Sequence, residues 1–117
     1  MIHLDYRDGR QIYQQILEGF RAQIRAGVLL ERDKMPSVRE LAAQLAINPN
    51  TIQRAYRELE TQGWIVSVAG KGSFVCGVPQ SDTQALLDQF DSLTATLLSM
   101  GIPAHELRER IGGEDHA

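Results

Sequence analysis

Between Pro36 and Gln62 the chain carries two helical patterns separated by about three residues, and no other feature restricts its fold so tightly. Ser37 followed by Glu40 forms a capping-box pair: the serine hydroxyl can accept the third helical N–H while the glutamate reaches back. Leu41, Ala42 and Leu45 then supply one inner face. Asn48-Pro49 restarts the chain with a capping amide followed by proline at the first helical position. Ile52, Ala55, Tyr56 and Leu59 supply the next inner face, and Gly63 stops it. Two short helices joined this tightly must cross at a steep angle, which is helix-turn-helix geometry.

The flanking segments fit that nucleus. Gln11 to Ala26 has apolar residues at Ile12, Tyr13, Ile16, Leu17, Phe20 and Ile24, a helical stripe, with Gly27 placed to cap its end. After Gly63, the β-rich run Trp64–Val68, the turn Ala69-Gly70-Lys71-Gly72 and the run Ser73–Cys76 read as a hairpin, positioned as a wing. Residues 77–81 read as a linker, with Gly77 and Pro79 as breakers. Beyond it Leu86, Phe90, Leu93, Leu97 and Met100 recur at 4-3-4-3 spacing, with Leu87, Thr94 and Leu98 beside them. Gly101-Ile102-Pro103 breaks that helix, a short one follows from Pro103 to about Ile111, and the end from Gly112 is expected to fray.

The expected fold is therefore mainly α with a small β-hairpin. A winged helix-turn-helix fills residues 1–76, and a C-terminal helical dimerisation segment fills residues 82–117. The 86-90-93-97-100 seam can bury itself against a second copy, making a homodimer, or against the first domain of its own chain.

Composition sets outer limits. At 117 residues there is room for one DNA-binding-sized domain and an appendage, and 43% hydrophobic content supports a core. No apolar run reaches membrane-spanning length, and residues 1–10 lack the apolar stretch of a signal peptide, so a cytoplasmic protein is expected. The single cysteine, Cys76, fits a reducing compartment and sits in an apolar run, which predicts a small buried hydrophobe. His3, His105 and His116 lack metal-ligand spacing and are assigned to the surface. No cofactor or metal is implied.

The net charge of −3 argues at first against nucleic acid, but its distribution does not. Up to Cys76 there are ten Lys/Arg against eight Asp/Glu; beyond it only Arg108 and Arg110 face seven acids. A locally basic face with an acidic tail directed elsewhere remains compatible with phosphate binding.

With Ile52 at the centre of the second helix's buried face, Asn50, Arg54, Arg57 and Thr61 fall opposite, Gln53 on one flank and Thr51 and Glu58 on the other. Amides and guanidiniums near a helix start can read purine edges in a major groove. Asn50, Thr51, Gln53 and Arg54 are the base-reading candidates. Arg57, a turn later, suits a phosphate or a nearby acid. Asn48 is first a cap and second a contact. Ser37 either caps only or joins Arg39 in holding a phosphate at the helix start. Gly70, Lys71 and Gly72 form a wing tip that can touch phosphates or enter the minor groove. The alternative reading is a protein-interaction module on a helix-turn-helix scaffold. An enzyme is disfavoured: no Ser/His/acid set is present, and Gly70-Lys71-Gly72-Ser73 lacks the upstream glycine and the strand-to-helix context of a phosphate loop.

Four elements in order carry a family resemblance: Met35-Pro36-Ser37-Val38-Arg39-Glu40-Leu41-Ala42, then Asn48 through Glu60, then Gly63-Trp64, then Gly70-Lys71-Gly72-Ser73-Phe74-Val75. Over roughly residues 10–76 the chain resembles the DNA-binding domain of GntR-family regulators. That resemblance implies operator contacts from Arg39, from Pro49, Asn50, Thr51 and Gln53, and from Gly70. Two departures stand out. Ala46 occupies a turn position where the family often has glycine, so the turn must avoid a left-handed residue or tolerate strain. Val68-Ala69 stands where basic residues often precede the wing glycine. The short remainder resembles the YtrA-type subfamily, which implies a dimerising helical pair, autoregulatory repression and transporter operons as targets, with double-stranded DNA carrying an inverted repeat as partner. A small-molecule effector is allowed by the resemblance but no residues are assigned to it.

Overall fold

A computed structural model of the chain describes residues 2–5 and 11–112; the expectations for His116 and for the chain after Gly112 lie outside them. The elements run α1 (Ile12–Arg25), α2 (Val38–Leu45), α3 (Pro49–Thr61), β1 (Ile65–Val68), β2 (Gly72–Val75), α4 (Gln80–Ser99) and α5 (Ala104–Arg110). They separate into two units, residues 1–79 and 80–117. Helix α4 begins at Gln80, so four residues, 76–79, join β2 to it, and the last two residues of the expected 77–81 linker are already helical.

The core of the first unit comes from three helical stripes. Ile16, Leu17, Phe20 and Ile24 of α1, Leu41 and Ala42 of α2, and Ile52, Ala55, Tyr56 and Leu59 of α3 are all buried. Leu45, read as an inner residue, is partly buried at the edge. Phe20 meets Tyr56 edge to face, with centroids 5.8 Å apart and planes at 81°, an arrangement that sets the positive ring edge on a negative face. Trp64, Ile65 and Val75 close the core beneath the hairpin. Ile2 closes it from the N-terminal side. The buried Gln15 pins that segment as a strand neighbour would: its Oε1 accepts from the Asp5 N–H at 2.8 Å, and its Nε2 donates to the Asp5 carbonyl at 2.9 Å.

The turn between α2 and α3 resolves the question raised by Ala46. Its φ of 55° and ψ of 46° are left-handed, so the turn accepts strain instead of avoiding it. An L-residue there crowds its Cβ against the following carbonyl, at a cost of about 1–2 kcal/mol.

The hairpin register is Ile65↔Val75, Val66↔Phe74, Ser67↔Ser73 and Val68↔Gly72. Each strand therefore starts one residue away from where composition placed it, and Gly72 belongs to β2, not to the turn. The turn is Val68–Lys71, closed by the Lys71 N–H donating to the Val68 carbonyl at 2.9 Å. Gly70 takes φ +76° at its third position, the angle a type II turn requires.

Cys76 corrects the sequence reading: its side chain is exposed. The strand alternation that buries Val75 turns the next side chain outward, although the Cys76 N–H is still satisfied by the Trp64 carbonyl at 2.8 Å. Hydropathy along the run does not record which face a residue takes.

In the second unit, α4 has no buried residue. Gly101 breaks it at φ +95°, and Pro103 sits at the N-cap of α5, one residue earlier than a first helical position. Among the described residues no helix is long and apolar enough to cross a membrane.

Replacing Ala46 with glycine removes the left-handed crowding and adds back some unfolded-chain freedom, so a net stabilisation of about 0.5–1 kcal/mol is expected. Urea unfolding checks this: the midpoint of Ala46→Gly should rise with the slope unchanged.

Candidate nucleic-acid interface

The start of α2, the start of α3 and the wing hold the candidate residues, and local chemistry shapes each. At α2, Ser37 Oγ accepts from the Glu40 N–H at 3.0 Å. The reciprocal half of the expected capping box is not formed; Glu40 lines a cleft beside Tyr56 instead. At α3, Asn48 Oδ1 accepts from the Asn50 N–H at 2.8 Å, with Pro49 next in the first turn. Asn50, Arg54 and Arg57 are exposed, and Thr51 and Gln53 are half-buried on the flanks. The wheel placed these residues correctly because burial of Ile52, Ala55, Tyr56 and Leu59 fixes the rotation of the helix.

Tyr56 joins α3 to the start of α2. Its hydroxyl donates to the Pro36 carbonyl at 2.6 Å. Burial raises its pKa above the ordinary tyrosine value, and the nearby Glu40 carboxylate pushes it the same way. The phenol therefore stays protonated and keeps donating.

A segment absent from the hairpin reading fixes the wing. Residues 32–35 run along β2: the Arg32 N–H donates to the Val75 carbonyl (2.7 Å), the Val75 N–H to the Asp33 carbonyl (2.8 Å) and the Met35 N–H to the Ser73 carbonyl (2.8 Å). The wing is thus hydrogen-bonded to the residues that lead into α2. The same pairing sets Lys34 opposite Phe74, and its side chain reaches Gly72, where an added Cβ would lie 3.2 Å from Lys34 Cε.

Between α2 and the wing lies a cleft of about 590 Å³ whose lining includes Lys34, Ser37, Glu40, Tyr56, Lys71 and Gly72. The structure thereby brings Ser37 together with Lys71 and Gly72. Lys34 is the residue that sequence reasoning missed; no periodicity marks it, and only its pairing with the wing brings it here. A second, shallow hollow of about 340 Å³ brings Asn50, Thr51 and Arg54 together with Gln11, Ile12 and Tyr13 of the α1 start. Arg39, Gln53 and Arg57 line neither space. Arg39, Arg57 and Lys71 make no ion pair with another described residue, so the acid partner considered for Arg57 is not found among them.

Arg54, a base-reading candidate by its place on the exposed face, also has a neighbour that the spacing did not predict. Its guanidinium carbon lies 3.7 Å from the centroid of the Tyr13 ring, stacked toward α1 instead of projecting freely from the front of α3. Among the described residues no group of three His, Cys, Asp or Glu is gathered to hold a metal.

A recognition helix exposed along its polar face, a capped helix crossing behind it and a basic wing tip define a winged helix-turn-helix regulator of transcription. Residues 12–75 match the bacterial regulatory proteins of the gntR family. The chain belongs to the GntR family of bacterial regulatory proteins. It is 41% identical over 75 residues to the HTH-type transcriptional repressor YtrA of Bacillus subtilis (strain 168), a match covering 64% of this chain and 58% of that one. It therefore spans less than two thirds of that repressor. With the uncharacterised HTH-type transcriptional regulator YhcF of the same organism it shares 33% identity over 115 residues, 91% of each chain. Its fold matches a transcriptional regulator from Oenococcus oeni with a TM-score of 0.70, at 32% identity, over 95% of this chain and 96% of that one. It also matches the DNA-binding domain of AraR solved in complex with operator ORE1, with a TM-score of 0.56, at 32% identity, over 65% of this chain and 93% of that one.

Tyr56→Phe should cost about 1 kcal/mol by removing the bond to Pro36. The raised pKa also fixes a pH dependence. The folded state holds the phenolic proton more tightly than the unfolded state, so this contribution is complete below the unfolded value near 10 and is lost as pH rises through the folded value. Denaturant titrations should show the wild type losing its advantage over Tyr56→Phe only above about pH 10.

Proposed function

We propose that the protein is a homodimeric repressor of its own operon, with transporter genes among the targets, that binds an inverted-repeat operator and acts in the cytoplasm. The observation that carries the DNA part is the set of exposed cations at the start of α2, along α3 and on the wing, Arg39, Arg57 and Lys71, left without described acid partners. A cation already paired would have to break that pair before meeting a phosphate; these need not.

In this reading α3 enters the major groove. Asn50, Thr51 and Gln53 meet base edges, Pro49 sits against the groove wall, and Asn48 remains a cap. Arg39, Arg57, Ser37 and the wing tip Gly70, Lys71 and Gly72 hold the backbone. The operator-bound AraR domain, similar over most of the first unit, supports the docking surface, and the repressor named among the relatives supports the sign of regulation.

The homodimer reading assigns the second unit to self-association. Leu86, Phe90, Leu93, Leu97 and Met100 of the α4 seam are exposed, Leu93 at 65% and Met100 at 70%. The helix has no Lys or Arg, and Asp88 and Asp91 lie off the seam, so its apolar stripe is free of charge. A second copy offers an identical stripe. Two reading heads would also supply the contact area that one winged domain lacks, at a fixed half-site spacing.

Selection of bound sequences from random duplex DNA at two salt concentrations tests the whole reading. An inverted repeat with salt-weakened binding is expected; no enrichment would sink it. On the selected site, Arg39→Ala should reduce affinity for all sequences alike and lower the salt slope by about 0.9 per protomer. Asn50→Ala or Gln53→Ala should instead cost about 1–3 kcal/mol and relax preference at one base position. Leu93→Asp should halve the mass seen by light scattering while leaving the circular dichroism of the first unit in place; an unchanged mass rejects the α4 interface.

A further inference from the structure

We infer that Tyr13 is a positioning residue for DNA-backbone binding: stacked beneath Arg54, it holds that guanidinium as a clamp for one DNA phosphate beside the starts of α1 and α3. The inference rests on the DNA-docking reading above and deepens it.

The geometry is specific. At 3.7 Å from the ring centroid, the Arg54 guanidinium carbon sits over the face of Tyr13. A guanidinium stacks through its face, whereas its N–H donors radiate from its edge. Tyr13 thus occupies the part of Arg54 that cannot hydrogen-bond and leaves the fork that binds phosphate in a bidentate manner. The long arginine side chain is also ordered before DNA arrives, so less freedom is lost on binding.

Charge around the stack points the same way. On one side Arg54 and Tyr13 border a hollow shared with Glu18, Arg21 and Glu58. Glu58 accepts from Gln62 Nε2 at 3.0 Å, and Arg54 has no ion pair with a described acid. On the other side Arg54 borders the hollow with Gln11, Asn50 and Thr51, whose described lining residues include no carboxylate. An anion entering there would meet the cation with no competing carboxylate among the described lining residues. Asn50 lies one helical turn before Arg54 at the front of α3, while the stack draws Arg54 sideways to α1. A group at the side of a groove-bound helix faces the flanking strand's phosphates, not the base edges.

The test uses the full chain, fluorescence anisotropy and two duplexes of equal length, the selected site and a random sequence. Arg54→Ala should weaken both by the same factor, about tenfold, as for loss of a charge-assisted hydrogen bond, and lower the salt slope by about 0.9 per protomer. Arg54→Lys keeps the charge and loses the planar fork, so affinity should fall while the slope stays. Tyr13→Phe should bind as wild type, because the ring remains. Tyr13→Leu should lose about threefold with the slope unchanged, since the charge is present but no longer held. A change of base preference in Arg54→Ala would make Arg54 a base reader and overturn the assignment. So would wild-type affinity in Arg54→Lys, or in a Tyr13→Leu protein whose thermal unfolding is intact. Wild-type protein that binds neither duplex overturns the DNA reading and this assignment together.

Discussion

Burial of the rear of α3 governs the rest of the first unit. Ile52, Ala55, Tyr56 and Leu59 lie on one stripe, and α1 and α2 supply the apolar surface that covers it. A helix held by a stripe of this width has one rotation at which its apolar groups leave water. At that rotation Asn50 and Arg57 face outward and Thr51 and Gln53 lie at the margins. The reading face is therefore not selected separately; it is the complement of the core. Tyr56 extends this control to α2 by packing its ring on Phe20 and giving its hydroxyl proton to Pro36.

Backbone hydrogen bonds carry the same rigidity to the wing. A two-stranded hairpin alone is marginal in water. Here residues 32–35 pair along β2, while Trp64, Ile65 and Val75 enter the core below. The path from wing to α2 is thus a few residues of paired backbone, and Lys34 is carried along it to the cleft that Ser37 and Lys71 share. Charge is segregated in parallel: the basic excess lies before Cys76, and the acidic excess lies after it. The positive charge is therefore concentrated in the first unit even though the chain as a whole is acidic.

Local signals accounted for much of this. Asn48-Pro49 and Ser37 announced two helix starts, and both caps form. Gly63 announced the end of α3, and Gly70 the turn of the wing. The failures have a common cause. Cys76 was placed inside by the hydropathy of its neighbours, whereas pleat alternation sends it out. The Glu40 half of the capping box was inferred from spacing, whereas the carboxylate lies by the cleft near Tyr56. Arg54 was placed on the exposed face correctly, but its stacking partner is 41 positions away in α1 and no spacing rule reaches that far.

What the amino-acid order determined by itself was the set of elements and the inward face of each helix, because capping, turn chemistry and apolar period act within a few residues. Tertiary structure decided how those elements meet: the left-handed Ala46 that lets α2 and α3 cross, the strand-like run that fastens the wing, and the ring that holds Arg54. Those outcomes depend on groups far apart in the chain that come together only once the core has formed, so only the folded protein contains them.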